Sequence, residues 1–184
     1  MNSNSLIPRY DRFPKLRYKK LTPLAPDRRP EEGTIEIAEG QRGISYEKLF
    51  LPYLKGAKAI RICDPYIRLQ YQVYNLMSFC EILEPTEGML RLELVTGSDS
   101  YQEVEQKEKL DRLTEGLQQD QIQLDYSMDD SLHDRWIEID TGWHVVLGRG
   151  LDIFQKPEDK FTLGFLDQTK RSCKATRIVY TRTL

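Results

Sequence analysis

Cysteine is scarce in this chain: Cys63, Cys80 and Cys173 are the only three in 184 residues, and no two have Cys-x-x-Cys spacing. An odd, scattered set excludes a disulfide framework, so the thiols read as reduced side chains in a cytoplasmic protein. Histidine is scarcer still, with only His133 and His144. No grouping of histidine, cysteine and carboxylate has metal-ligand spacing, so neither structural zinc nor any other cofactor is expected. No apolar run reaches bilayer length, and no apolar core follows the basic N-terminal stretch, which argues against a secretory signal. A glycine-rich phosphate loop is also missing, because Gly148-Arg149-Gly150 lacks a third glycine and the context of a dinucleotide fold. The net charge of −2 excludes a coat protein of the histone sort.

What remains is an ordinary globular composition, 39% hydrophobic and 30% charged, at a length suited to one domain. Charge is unevenly spread. Arg9, Arg12, Lys15, Arg17, Lys19, Lys20, Arg28 and Arg29 face only Asp11 and Asp27 over residues 9–29. With five prolines before residue 31, residues 1–43 read as an extended basic arm or linker, within which residues 34–38 could form a short strand. Such an arm could contact phosphates of nucleic acid or lipid, or simply remain solvated.

From residue 44 the pattern alternates between helix and strand. Ser45 caps a first helix that carries Leu49, Leu51 and Leu54 and ends near Gly56. Residues 59–63 form a strand. Asp64 and Pro65 then read as the N-cap and first residue of a long amphipathic helix, its buried face bearing Tyr66, Leu69, Val73, Leu76, Met77, Cys80 and Leu83. A strand is expected over 90–95, then a charged helix over 100–119 with a thin apolar stripe of Val104, Leu110, Leu113 and Leu117. Further strands are expected over 122–126, 132–139, 143–147 and 176–181, the middle two joined by an Asp140-Thr141-Gly142 hairpin turn. This order argues for a mixed sheet covered by helices.

The chemistry concentrates in His133-Asp134-Arg135-Trp136-Ile137-Glu138-Ile139-Asp140. On a strand, His133 and Arg135 leave the same face, and an imidazole beside a guanidinium suits a phosphate. The guanidinium forks onto two oxygens, and the imidazole can attack phosphorus or carry a proton. Arg149 could clamp phosphate or pair with a nearby acid, and Arg68 could do so or stay solvated. Packing explains His144, while Trp136, Trp143, Tyr66, Tyr71 and Tyr74 could stack bases or line a dimer interface, with packing the default at strand or helix spacing.

The spacing His133-x-Arg135-x4-Asp140, with Gly148 and Gly150 downstream, resembles the H-x-K-x4-D motif of the phospholipase D superfamily, with arginine in place of lysine. Five blocks carry a more specific resemblance: Ile44-Ser45-Tyr46-Glu47-x-Leu49-Phe50, Asp64-Pro65-Tyr66-Ile67-Arg68, His133-Asp134-Arg135, Gly142-Trp143 and Gly148-Arg149-Gly150-Leu151-Asp152-x-Phe154. Together they resemble the phospholipase D-like domain at the C-terminus of MIT-domain-containing proteins, over residues 44–184. That family works in membrane abscission with ESCRT-III and is thought to bind lipid head groups without hydrolysis. The chain is also similar to the tail of bacterial Lon-like AAA+ proteins of BREX phage exclusion, including Tyr10-Asp11-x-Phe13-Pro14-Lys15-Leu16-Arg17-Tyr18 and residues 27–33.

The resemblance implies a single α/β domain, a phospholipase D-like mixed sheet flanked by helices, with an N-terminal arm. It implies His133, Arg135 and Asp140 as catalytic candidates, and Arg68, Arg135 and Arg149 as phosphate ligands. Catalytic members use two facing motifs, so one motif implies a homodimer in which His133 is nucleophile in one subunit and general acid in the other. The arginine replacement and the missing serine and asparagine after the motif favour binding over catalysis. The expected ligand is a phosphodiester, nucleic acid first, reached through the arm and the His133 face in a phage-defence setting. An active phosphodiesterase and an anionic-lipid module are the alternatives.

Overall fold

A computed structural model describes residues 19–21, 29–98, 101–157, 159 and 161–183. Most of the polybasic arm lies outside them. Within these residues the expected α/β class is met by a seven-stranded mixed sheet and three helices. The strands are β1 (Gly33–Ile37), β2 (Ala59–Cys63), β3 (Leu90–Thr96), β4 (Ile122–Met128), β5 (Trp136–Ile139), β6 (Trp143–Leu147) and β7 (Thr176–Arg182). The helices are α1 (Tyr46–Leu54), α2 (Gln70–Cys80) and α3 (Glu103–Gln118).

Sheet order is β1-β7-β6-β5-β2-β3-β4. The β2–β3 and β3–β4 pairs are parallel, as their helical crossovers require, and the remaining neighbours are antiparallel. The short strand inside the basic arm is present, paired through Ile35↔Ile178, and Leu21 beside it is buried. The sheet therefore takes in residues that precede position 44.

Strand alternation gives the sheet two unlike faces. Ile60, Ile62, Leu92, Leu94, Ile137, Val145 and Tyr180 point to one side and are buried with Tyr46, Leu49, Phe50, Leu76, Phe79 and Leu110 of the helices. Arg61, Glu93, Asp125 and Glu138 alternate with them and stay exposed. Ser45 does cap α1, its hydroxyl accepting from Lys48 N at 3.2 Å.

Several local expectations need correction. Asp64 does not cap α2. Residues 65–68 form turns, α2 starts at Gln70, and the Gln72 side chain accepts from the N–H groups of Arg68 and Leu69. Tyr66, Leu69 and Met77 are consequently exposed rather than part of a buried face. The strand expected over 132–139 is only four residues long and starts at Trp136.

In α3 the stripe does not begin at Val104, which is 72% exposed; Gln106 is buried instead. Its Nε2 donates to Ile67 O at 2.8 Å and Gly97 O at 2.9 Å, which ties α3 to the loops after β2 and β3. A buried donor that satisfies two carbonyls outranks a valine at holding that end of the helix. Gln106→Leu should therefore cost about 2 kcal/mol in urea melts, because it strands Gly97 O and leaves Ile67 O only the longer bond from Thr96 Oγ1. Val104→Ser should change stability by less than ~0.5 kcal/mol.

Candidate anion site at the ends of the parallel strands

The pairing register brings five segments to one end of the sheet. Cys63 is opposite Trp136, and Trp136 is opposite Val146. The C-terminal ends of β2 and β6 therefore meet the N-terminal end of β5, beside the C-terminal ends of β3 and β4. Ligands in α/β sheets favour the carboxyl ends of parallel strands, where loops diverge and leave backbone groups free.

Asp64 leaves β2 here. It is nearly inaccessible, and its carboxylate accepts from Tyr66 N at 3.1 Å and from Leu151 N at 3.1 Å. Burial pushes this carboxyl above its usual range, outweighing the two N–H donors and the Arg135 charge that pull it down. The acid thus staples the loop after β2 to the loop after β6. Gly150 permits this contact: its φ is +61°, and a Cβ there would lie 1.9 Å from Asp64 Oδ2.

The turn Asp64 holds presents Tyr66, which is 44% exposed. Two guanidinium groups border its ring. The Arg135 carbon stands 4.2 Å from the ring centroid and that of Arg68 stands 5.8 Å away. Arg135 Nη1 donates to Gly148 O at 2.6 Å, while its Nε is buried without a protein partner among the described residues. Arg68 Nε donates to Pro65 O at 2.9 Å, and glycine at 97 leaves room for it, since a Cβ there would meet Arg68 Nη2 at 2.3 Å. Arg149 is exposed and donates Nε to Ala175 O at 3.1 Å.

Each of the three arginines therefore spends a donor on a backbone carbonyl, and none forms an ion pair among the described residues. A guanidinium has five N–H donors, so most remain to fork onto an oxyanion. The acids within electrostatic reach of the three arginines are already engaged: Asp64 near Arg135 as above, Asp130 near Arg68 by Ser98 N at 2.6 Å and Ser98 Oγ at 2.7 Å, and Glu39 near Arg149 by Ala175 N at 2.8 Å. Carbonyl tethers and an aromatic platform hold the cations outside any salt bridge, with Asp64 within electrostatic reach of Arg135.

The other sequence candidates fall differently. His133 is exposed on the segment before β5, not on a strand, and makes no hydrogen bond to a described residue. The premise that strand geometry aligns it with Arg135 therefore does not hold. Asp140 lies at the far end of β5, five residues and roughly 16 Å of extended chain from Arg135. Its carboxylate accepts from Lys58 N at 3.1 and 3.2 Å. That bond closes the β5–β6 turn against the start of β2, so Asp140→Ala should cost at most ~1 kcal/mol in thermal melts and leave anion binding unchanged. Trp136 and His144 are half-buried neighbours, ring centroids 5.6 Å apart, on the sheet face away from the helices. Burial lowers the His144 pKa against the opposing pull of Glu138.

Comparison with known proteins agrees with this frame. A family model for the phospholipase D-like domain at the C-terminus of MIT matches residues 43–182. The chain belongs to that family. Mouse MIT domain-containing protein 1 is 35% identical over 159 residues, a match covering 83% of this chain and 64% of the mouse protein. The match thus spans less than two thirds of that relative's length. Among the described residues of this MIT-type domain, no helix is long and apolar enough to cross a membrane, and no metal-ligand cluster occurs.

Sequence reasoning missed Tyr66 as a platform, Asp64 as a staple and Gly148 as an acceptor. The blocks Asp64-Pro65-Tyr66-Ile67-Arg68 and Gly148-Arg149-Gly150-Leu151 held the signal. One glycine-flanked arginine, Arg149, and an Asp-Pro turn, each just after a strand, mark where loops converge.

Proposed function

We propose that this domain is a binding module for phosphodiester groups and does not hydrolyse them. The observation that carries the reading is the pair of guanidinium groups around one exposed tyrosine ring, each tied to a carbonyl and neither in a salt bridge among the described residues. Two cations that border one ring raise the local positive potential, and a bound phosphate relieves it. Arg135 and Arg68 hold the anion, Arg149 reaches it from the loop after β6, and His133 supplies a weaker contact.

Hydrolysis is disfavoured on chemical grounds. A histidine nucleophile or acid needs a partner to fix its tautomer and aim it, and His133 has none among the described residues. The phosphodiesterase alternative requires a homodimer in which a second His133 supplies the missing group. It predicts a dimeric mass by light scattering and cleavage that vanishes in His133→Ala.

The test of the binding reading is titration with two phosphodiesters, a short single-stranded DNA and a soluble short-chain phosphatidylserine, at two salt concentrations. Binding that weakens with salt, without product, supports it. A role in phage exclusion as part of a larger AAA+ assembly remains a proposal, checked by whether the chain co-purifies with such an ATPase.

A further inference from the structure

All three helices pack on one side of the sheet, so its other side is open. The part of that open face over β7, β6 and β5 carries Val179, Val146, His144 and Trp136, each half-buried. The part over β5, β2, β3 and β4 is a shallow groove lined by Arg61, Arg91, Glu93, Asp125, Glu138 and Asp140. Four acids thus share it with two cations. Arg61 pairs with Glu93 at 3.3 Å, and Asp140 accepts from Lys58 N. Arg91, Asp125 and Glu138 form no ion pair among the described residues, although Arg61 and His144 flank Glu138 in register. The groove is net acidic.

The chain approaches this face from one edge. Leu21 N donates to Thr34 O at 2.7 Å and Thr34 N to Lys19 O at 2.9 Å, so residues 19–21 run parallel to β1 along its outer edge. Leu21 is buried in the core on the helical side. Lys20 turns the other way, its Nζ 3.8 Å from Glu36, a carboxylate that Arg177 also holds at 2.8 Å. Parallel pairing puts Lys19 nearer than Leu21 to the Gly33 end of β1, beside the Gly142 and Arg182 ends of the neighbouring strands. The acidic groove opens at that same end, since Gly142 and Thr183 also line it. The anion site is at the opposite end of the sheet.

We infer that residues 9–18 lie across this open face, with their cations on the acids of the groove. The segment Arg9-Tyr10-Asp11-Arg12-Phe13-Pro14-Lys15-Leu16-Arg17-Tyr18 holds four cations against one acid, with an apolar or aromatic side chain every two or three residues. That composition matches a strip of half-buried apolar side chains leading to an acidic groove, and Lys20 on Glu36 begins the same pattern. Reach is sufficient: Glu138 stands three strand spacings from β1, roughly 15 Å, and ten extended residues span ~33 Å. Exposed ion pairs are individually weak, and the tether at residues 19–21 supplies a high effective concentration. An arm held here answers protein acids far from Arg68, Arg135 and Arg149, so it adds nothing to their affinity for phosphate. The inference stands apart from the phosphodiester reading.

The test uses the full chain at low salt. A zero-length carbodiimide couples a lysine to a carboxylate in direct contact, and Lys15 is the one lysine before residue 19. It should couple to Glu138, Glu93 or Asp125 within a single copy, as a mixture of unlabelled and nitrogen-15 chains reports. Arg12→Glu with Arg17→Glu keeps Lys15 and touches no described residue. It should lower that yield by roughly 5-fold or more, as should salt at about 1 M. The Trp136 indole N–H resonance should shift in the double variant, while the amides of residues 64–68 and the affinity for soluble short-chain phosphatidylserine stay as in wild type.

Coupling of Lys15 to acids outside the open face overturns the inference, as do a yield and a Trp136 resonance indifferent to the charge reversal. Coupling only between differently labelled copies assigns the face to a second chain and also overturns it. A double variant that binds the soluble diester more weakly places the arm at the arginine end, which contradicts the inference and leaves the phosphodiester reading standing.

Discussion

Asp64→Ala lowers the thermal midpoint by roughly 8–16 °C, the largest stability loss expected from any polar substitution in this domain. Removing the carboxylate leaves the buried Leu151 N–H and the partly buried Tyr66 N–H without this acceptor and deprives Arg135 of a nearby counter-charge. Two stranded donors and an uncompensated cation sum to about 4 kcal/mol, and each kcal/mol shifts the midpoint of a chain this size by about 2–4 °C. Gly150→Val should act in the same direction, because its side chain would displace the same carboxylate from a backbone at φ +61°.

The pH dependence has a definite sign. The folded pKa of Asp64 is raised, so the folded state holds this proton more tightly than the unfolded chain. Its contribution is greatest below about pH 4, near the unfolded value, and declines as pH rises through the folded one. Glu39, Asp129, Asp130 and Asp167 are shifted downward by hydrogen bonds to neighbouring groups and run the other way, losing stability as pH falls. The difference in unfolding free energy between wild type and Asp64→Asn, followed by urea titration across this range, isolates Asp64. That difference should shrink with rising pH.

The second large effect is on binding. Arg135→Ala should weaken a phosphodiester by roughly 10- to 100-fold, the worth of one or two charge-assisted hydrogen bonds. Arg135→Lys keeps the charge but loses the Nη1 bond to Gly148 O and the guanidinium contact with the Tyr66 ring, so it should recover only part of this. Removing Arg68 as well should lower the slope of log affinity against log salt by about one per arginine. Tyr66→Ala should weaken binding without changing that slope, since the ring positions charge and carries none.

How far the sequence announced this arrangement varies by element. The β/α alternation from residue 44 onward, the Ser45 cap and the hairpin at Gly142 rest on local periodicity and turn chemistry, and the structure has them. The Asp64-Pro65 signal misled because the same carboxylate can cap a helix or accept from a distant N–H. Leu151, 87 residues away, wins it. Val104 and Gln106 exchanged roles for a similar reason: burial of the amide depends on carbonyls at Ile67 and Gly97 that no helical period reveals. The motif pointed to His133, Arg135 and Asp140 together, whereas the geometry leaves His133 and Asp140 apart and gathers Arg135, the expected Arg68 and the unexpected Tyr66 around a staple. Spacing encodes which face a strand residue takes, but β5 begins after Arg135, so the rule had no strand to act on.

Phosphorus-31 resonance spectroscopy of a soluble short-chain phosphatidylserine, titrated with the wild-type chain and with Arg68→Ala/Arg135→Ala, reports binding and hydrolysis in one spectrum. The account predicts a diester resonance that shifts with wild type, stays put with the double variant, and never gives way to a monoester signal. A diester line that ignores the wild-type protein, or a growing monoester peak that disappears in His133→Ala, would contradict it.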